Sequence, residues 1–327
     1  MTLDANAIAR EHGPSVLRDI LDVSIIPLKP VAHRPLLRVV SAEDFMAKSL
    51  PPRDYILEPI LNSQGLLMLA APRGVGKTHV ALACGGAAAS GGSFLKWKAP
   101  KPRHVLYVDG EMPASDLQAR LKALPYKCDG KFRVLSMDDQ DLGTSLNLSR
   151  PEDRFRIEGI LGDTELLILD NRSTLVNSGK ENDSESWTAM QDWLLSLRRK
   201  GVSVVLVEHA GRSGDPRGTS KREDILDTII SLTRPEDYVA DQGARFEVHL
   251  TKARGISGEG ARPFEAKLEV RDGQAMWTTR ELQDVEADRI VDLTNDGLSA
   301  RDIAEETGLS KSKVARIQAK LRVEGKL

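Results

Sequence analysis

The stretch Ala71-Pro72-Arg73-Gly74-Val75-Gly76-Lys77-Thr78 sets the tightest limit on what this chain folds into. Before it, Gly65-Leu66-Leu67-Met68-Leu69-Ala70 is a short apolar run with the pattern of a buried strand. After it, His79-Val80-Ala81-Leu82-Ala83-Cys84 reads as the start of a helix. Strand, glycine loop and helix are the context that a phosphate-binding loop requires. The glycines let consecutive backbone N–H groups curl around phosphates, and the helix N-terminus adds partial positive charge. Lys77 has the reach for β- and γ-phosphates, and the Thr78 hydroxyl is placed to ligate Mg²⁺. Pro72, Arg73, Gly74, Val75, Gly76 and His79 complete the expected contact set. Ala71 stands where the usual pattern has its first glycine, at the turn leaving the strand. The competing reading is an ordinary glycine-rich turn opening a helix. The Lys-Thr pair and the flanking elements favour the phosphate site.

A chain of 327 residues has room for one large α/β core and one or two small appendages. Its net charge of −2 excludes a global basic field, so any nucleic-acid site must be local. Cys84 and Cys128 make neither a disulfide framework nor a metal cluster, and Cys84 is expected to be buried. No apolar run reaches membrane-spanning length and no signal-peptide core opens the chain, so a soluble, cytoplasmic protein is expected.

Residues 1–50 are weakly patterned and broken by Pro27, Pro30 and Pro35; they read as an arm or linker. From 51 to 280, apolar runs alternate with helical patterns. Strands are expected at Leu66–Ala70, His104–Asp109, Phe132–Leu135, Leu166–Asp170 and Val202–Val207. Helices are expected over Pro113–Leu124 and Ser186–Lys200, the latter with Trp187, Met190, Trp193, Leu194 and Leu197 as a core stripe. Strands separated by helices imply a mostly parallel sheet with helices on both faces. Beyond Ile229 the strands follow one another through short loops, with Asp272-Gly273 as a hairpin signal, so an antiparallel extension is expected on one edge.

A carboxylate at the C-terminal end of a buried strand suits Mg²⁺, and Asp170 stands there. Hydrolysis also needs a group to activate water. Asn171 follows Asp170, so that carboxylate must come from elsewhere. Asp109-Gly110-Glu111 ends the second strand and brings Glu111 to the same sheet edge as Lys77 and Asp170, which makes it the candidate catalytic base. The alternative for Glu111 is a charge favoured at a helix N-terminus.

The set Pro72–Thr78, Tyr107–Pro113, Leu167–Asp170, Glu208-His209-Ala210 and Thr251–Arg254 resembles the RecA-like P-loop ATPases, in motif pattern most like hexameric plasmid replicative helicases of the RepA type. The resemblance covers roughly residues 45–275 and departs from the family at Ala71 and at Glu208, where a further histidine is common. It implies a RecA-like core, ATP and Mg²⁺ as ligands, sites at subunit boundaries, and a homo-oligomer, possibly a hexamer. It implies that His209 senses the γ-phosphate, and that Lys252 and Arg254 reach a neighbour's nucleotide. The polar loop after His209, with Arg212, Arg217, Lys221 and Arg222, is similar to the single-stranded-DNA-contacting loop of RecA-like proteins. A solvated surface loop, and a pair of edge-strand charges at Lys252 and Arg254, are the alternatives the residues leave open.

Residues 281–327 read differently. Asp284–Asn295 has a helical pattern, Ser299 opens a capped helix, Gly308-Leu309-Ser310 makes a turn, and Lys311–Val323 is a second short helix. Lys311, Lys313, Arg316 and Lys320 give that helix a basic face suited to duplex DNA. This tail resembles bacterial helix-turn-helix domains; a helical knob that packs on protein is the alternative. The expectation is a DNA-associated ATPase, of which a helicase or replication protein of a mobile element is the sharpest form. A nucleotide-gated transcriptional or copy-number regulator with little turnover, and an ATPase acting on protein partners, are the competing functions.

Overall fold

The computed structural model describes residues 37–50, 52–176, 184–210 and 223–327. Chain contacts divide it into a unit ending at Pro52 and a unit from Arg53 to Leu327. In the first, α1 (Ala42–Met46) starts at Ser41, whose side chain accepts the Asp44 N–H at 3.0 Å.

The second unit is built on one sheet, to which nine strands contribute among the described residues. A hairpin of β1 (Tyr55–Leu57) and β2 (Leu61–Asn62) precedes it, and β4 (Ser93–Phe94) and β5 (Trp97–Lys98) form another small hairpin. The main sheet contains β3 (Leu66–Ala71), β6 (Val105–Asp109), β7 (Phe132–Ser136), β8 (Leu166–Asp170), β9 (Ser203–His209) and β10 (Thr228–Thr233), then β11 (Arg245–Ala253), β12 (Phe264–Arg271) and β13 (Gln274–Glu281). Their order is β13-β12-β11-β10-β3-β9-β8-β6-β7. The pairs from β10 to β7 are parallel, and those from β10 out to β13 are antiparallel. This is the mostly parallel sheet with an antiparallel extension on one edge that the order of apolar runs implies.

The parallel strands are apolar on both faces because both are covered. On one face Leu67, Leu69, Tyr107, Ile168, Val205 and Val207 pack with α2 (Lys77–Ser90) and with Leu117 of α3 (Ala114–Ala123). On the other, Met68, Val108, Leu167, Leu169 and Leu206 pack with α4 (Pro151–Leu161) and α6 (Ser184–Arg199), whose Trp187, Met190, Trp193, Leu194 and Leu197 are all buried. Helix α2 lies close to the sheet because it is rich in Ala and Gly. A Cβ on Gly85 would stand 2.3 Å from the Phe132 ring, and one on Gly86 equally close to Tyr126.

β13 runs directly into α7 (Leu282–Asn295), followed by α8 (Ala300–Thr307) and α9 (Lys311–Val323). Ser299 and Asp302 form a capping box, Gly308 ends α8 at φ 66°, and Ser310 caps α9. Ile290, Ile303, Val314 and Leu321 make a small separate core. No helix among the described residues is long and apolar enough to cross a membrane.

Candidate active site

Parallel strands deliver their C-terminal ends to one edge, and at that edge α/β folds place ligands. Here β3, β9, β8 and β6 are adjacent, so Ala71 pairs with His209 and Asp109 with Asp170 in register. The loop leaving β3 needs glycine at two points, Gly74 at φ 75° and Gly76 at φ 126°. Lys77 follows as the first residue of α2. A cleft of about 520 Å³ opens over these ends, and its walls include Arg73, Lys77, Thr78, Glu111, Asp170 and His209.

Lys77 is only 6 % exposed, and its Nζ donates to the Ala71 and Pro72 carbonyls at 2.9 and 3.0 Å. Burial lowers its pKa to about 8, against the opposing pull of Asp170 and Glu111. His79, on the same first turn of α2, is lowered to about 4 by burial and by Arg120. Asp170 is pushed up by burial, although the hydroxyls of Tyr107 and Thr78 and the charge of Lys77 favour its ionised form. The Tyr107 hydroxyl donates to Asp170 Oδ2 at 2.5 Å, and that phenol is held well above its usual range by burial.

Glu111 stands on the turn after β6. Gly110 donates its N–H to the Asp170 carbonyl at 2.9 Å. Asp109 Oδ2 accepts the Met112 N–H at 2.9 Å and the Glu111 N–H at 3.3 Å, so a buried carboxylate caps the turn that carries an exposed one. Burial raises the Asp109 pKa to about 6, with Asp170 and Glu111 adding to the shift. The Asn171 amide donates to Glu111 Oε2, and His209 Nε2 lies 3.8 Å from the same oxygen. Beneath them Arg172 and Glu208 form a buried two-point ion pair, with Arg172 Nη2 to Glu208 Oε1 at 3.0 Å. Glu208, the residue at which the chain departs from the RecA-like pattern, is thus tied to Arg172.

Lys77, Thr78, His79, Asp170, Glu111 and His209 therefore meet in one cleft, with Arg73, Gly74 and Gly76. Pro72 gives its carbonyl to Lys77, while Val75 is buried beneath the loop. Lys252 and Arg254 are not among the cleft's walls. Lys252 Nζ donates to the Glu223 carbonyl, and Arg254 Nη2 to that of Asp224 at 2.8 Å. Arg212, Arg217, Lys221 and Arg222 lie outside the described residues. On α9, Lys311, Arg316 and Lys320 are exposed, whereas Lys313 reaches Glu286 of α7 at 2.8 Å.

Sequence reasoning missed Asp109, Asn171, Arg120 and Arg234. The paired acids Asp109-Gly110-Glu111 were a usable signal for the first. Arg234 Nη2 donates to the Gly74 carbonyl at 3.0 Å, a contact across 160 residues that no local pattern carries. An adjoining apolar cleft of about 330 Å³ shares His79 and Arg120 with the first and is walled by Leu82, Ala119, Leu268 and Trp277.

Asp170 and Thr78 present hard oxygens beside a buried lysine, which suits Mg²⁺. Among the described residues no three His, Cys, Asp or Glu side chains form a metal cage. Mg²⁺ in nucleotide sites needs none, since it takes one or two side chains plus phosphate and water oxygens.

The AAA domain family matches residues 31–215 of the chain. A KaiC-like protein from the hyperthermophilic archaeon Pyrococcus horikoshii OT3 is similar at 14 % identity and a TM-score of 0.48, over 69 % of this chain and 99 % of that one. No curated protein matches.

Proposed function

The chain belongs to the AAA domain family, and on that premise we propose that it is a DNA-associated, RecA-like ATPase that hydrolyses ATP to ADP and phosphate. The observation that carries the reading is the convergence of Lys77, Asp170 and Glu111 on the cleft over the glycine loop. The loop N–H groups and Lys77 hold the β- and γ-phosphates, with Lys77 leaving its two carbonyl partners to do so. Thr78 and Asp170 hold Mg²⁺, which neutralises phosphate charge when bound. The adjoining apolar cleft takes the nucleotide's base, between Arg120 and Trp277. Glu111 accepts a proton from water as the water oxygen bonds to the γ-phosphorus and the bond to the β–γ bridging oxygen breaks. His209, the last residue of β9 and 3.8 Å from that carboxylate, reports the γ-phosphate to the residues that follow it in the chain.

DNA association is supported by two features. In sequence, Arg212, Arg217, Lys221 and Arg222 lie between His209, at the cleft, and Glu223 and Asp224, whose carbonyls accept hydrogen bonds from Lys252 and Arg254. We assign single-stranded DNA to this stretch. The tail presents Lys311, Arg316 and Lys320 on the exposed side of one helix after a glycine turn, and we read α8 and α9 as a helix-turn-helix for duplex DNA. A homo-oligomer, with Lys252 and Arg254 serving a neighbour's site, completes the scheme.

The test is an ATPase assay with no DNA, single-stranded DNA and duplex DNA, run beside a mass measurement in MgATP. Stimulation by DNA and a multimeric mass are expected. Turnover indifferent to DNA sinks the DNA-coupled reading. If inactive Lys77→Ala and Arg254→Ala proteins regain no activity on mixing, the shared site loses its support.

A further inference from the structure

Asn171 is a tightly held polar side chain at the cleft that the hydrolytic scheme does not use. It is 3 % exposed and caps α5 (Arg172–Leu175). Its Oδ1 accepts the Thr174 N–H at 3.2 Å and the Ser173 hydroxyl. A backbone N–H can only donate, so this contact fixes which end of the amide is oxygen. The Nδ2 group therefore faces the other way, where it donates to Glu111 Oε2. The Asn171 backbone is held too, since its carbonyl accepts Thr174 Oγ1 at 3.0 Å and the Leu175 N–H at 3.1 Å.

Glu111 is the opposite case. Its side chain is 58 % exposed and stands on a turn. A glutamate so placed gives up rotamer freedom only when something grips it. We propose that Asn171 is a positioning residue for the catalytic base, its amide gripping one oxygen of Glu111 and leaving the other to take the proton of the attacking water. The proposal rests on the reading of Glu111 as base. Asn171 directly follows Asp170, so a single buried turn sets both the metal ligand and the aim of the base. A neutral amide suits the task because it orients a carboxylate without neutralising it.

If Asn171 only caps α5, another capping residue must replace it without loss. Serine caps as well as asparagine but is too short to reach Glu111. Aspartate keeps the shape and the cap but has no donor. ATP turnover of the full chain with Mg²⁺ separates the cases. For Asn171→Ser, kcat is expected to fall by up to about 10²-fold, the cost of a misplaced reacting group, with KM for ATP and the melting temperature little changed. Asn171→Asp is expected to lose at least as much, and carries the test if the serine variant fails to fold. In a Glu111→Gln background, Asn171→Ser is expected to cost nothing further. Full turnover in Asn171→Ser or Asn171→Asp, with Glu111→Gln inactive, overturns the proposal and leaves the base intact. Increased turnover in either also overturns it, since Asn171 would then restrain the base. Wild-type turnover in Glu111→Gln overturns the base assignment itself, an outcome read without any Asn171 variant.

Discussion

Lysine is used in two opposed ways in the cleft over the sheet and in the C-terminal helices. Lys77 at the strand ends is buried, bonded to two carbonyls and lowered to about 8. Lys311 and Lys320 on α9 are exposed. The cleft surrounds its charges with other polar groups in fixed geometry: Tyr107 on Asp170, Asp109 on the Glu111 turn, Asn171 on Glu111, Arg172 on Glu208. The tail holds its fold with four buried apolar residues and leaves Lys311, Arg316 and Lys320 on its exposed surface. Buried polar networks fix a single geometry, which chemistry requires, while solvated cations adapt, which suits a polyanion.

The comparison predicts large effects in the cleft and small ones in the tail. The largest is expected from Arg172→Ala, which leaves Glu208 charged and buried; about 3–5 kcal/mol of unfolding free energy is lost by chemical denaturation. The paired change Arg172→Met with Glu208→Leu is expected to recover most of it. A cost as small as a surface substitution would mean the pair is not buried as described. Next is Gly110→Ala. A Cβ there would stand 2.7 Å from both Leu175 Cδ2 and Thr174 Oγ1. The expected loss is about 1–3 kcal/mol, accompanied by slower ATP turnover because Glu111 is the next residue.

The parallel core was legible because its strands are continuous apolar runs, and both faces of Leu66–Ala71 and Leu166–Asp170 are covered. The glycine loop was legible because its backbone demands leave few other sequences. α4 escaped notice because two of its apolar residues, Phe155 and Ile160, are exposed and blur the helical stripe. The hairpins at Tyr55–Asn62 and Ser93–Lys98 are too short to show a period. The contacts that organise the cleft escaped for another reason. Asn171 reaches Glu111 across 60 residues, and Arg172 reaches Glu208 across 36. Such pairs follow from strand order, which local pattern does not determine.

Asp109→Asn gives a smaller effect with a pH signature. The Asp109 pKa rises from 3.8 unfolded to about 6 folded, so its charge costs stability above pH 6. That cost is relieved as pH falls from 6 towards 4. Asparagine keeps an oxygen for the Met112 and Glu111 N–H groups. In metal-free protein, Asp109→Asn is expected to be more stable at pH 8 by on the order of 1 kcal/mol, and the gain should vanish near pH 4. A gain independent of pH would contradict the assigned cause. The smallest stability effect belongs to Lys311→Ala, Arg316→Ala and Lys320→Ala together, within about 0.5 kcal/mol per site. The salt dependence of duplex binding by the full chain should nonetheless flatten, its log–log slope falling by about 0.9 for each phosphate that no longer meets a cation. An unchanged slope would assign the tail to a protein partner.

The most direct test of the account is Glu111→Gln, measured for both MgATP binding and single-turnover hydrolysis. Glutamine keeps the shape and an oxygen for Asn171, but cannot take the proton. Binding is expected within a few-fold of the unmodified chain, and hydrolysis slower by about 10²–10⁴-fold, the range for a general base. Hydrolysis at the unmodified rate would show that the water is activated elsewhere, and the cleft would lose its catalytic reading.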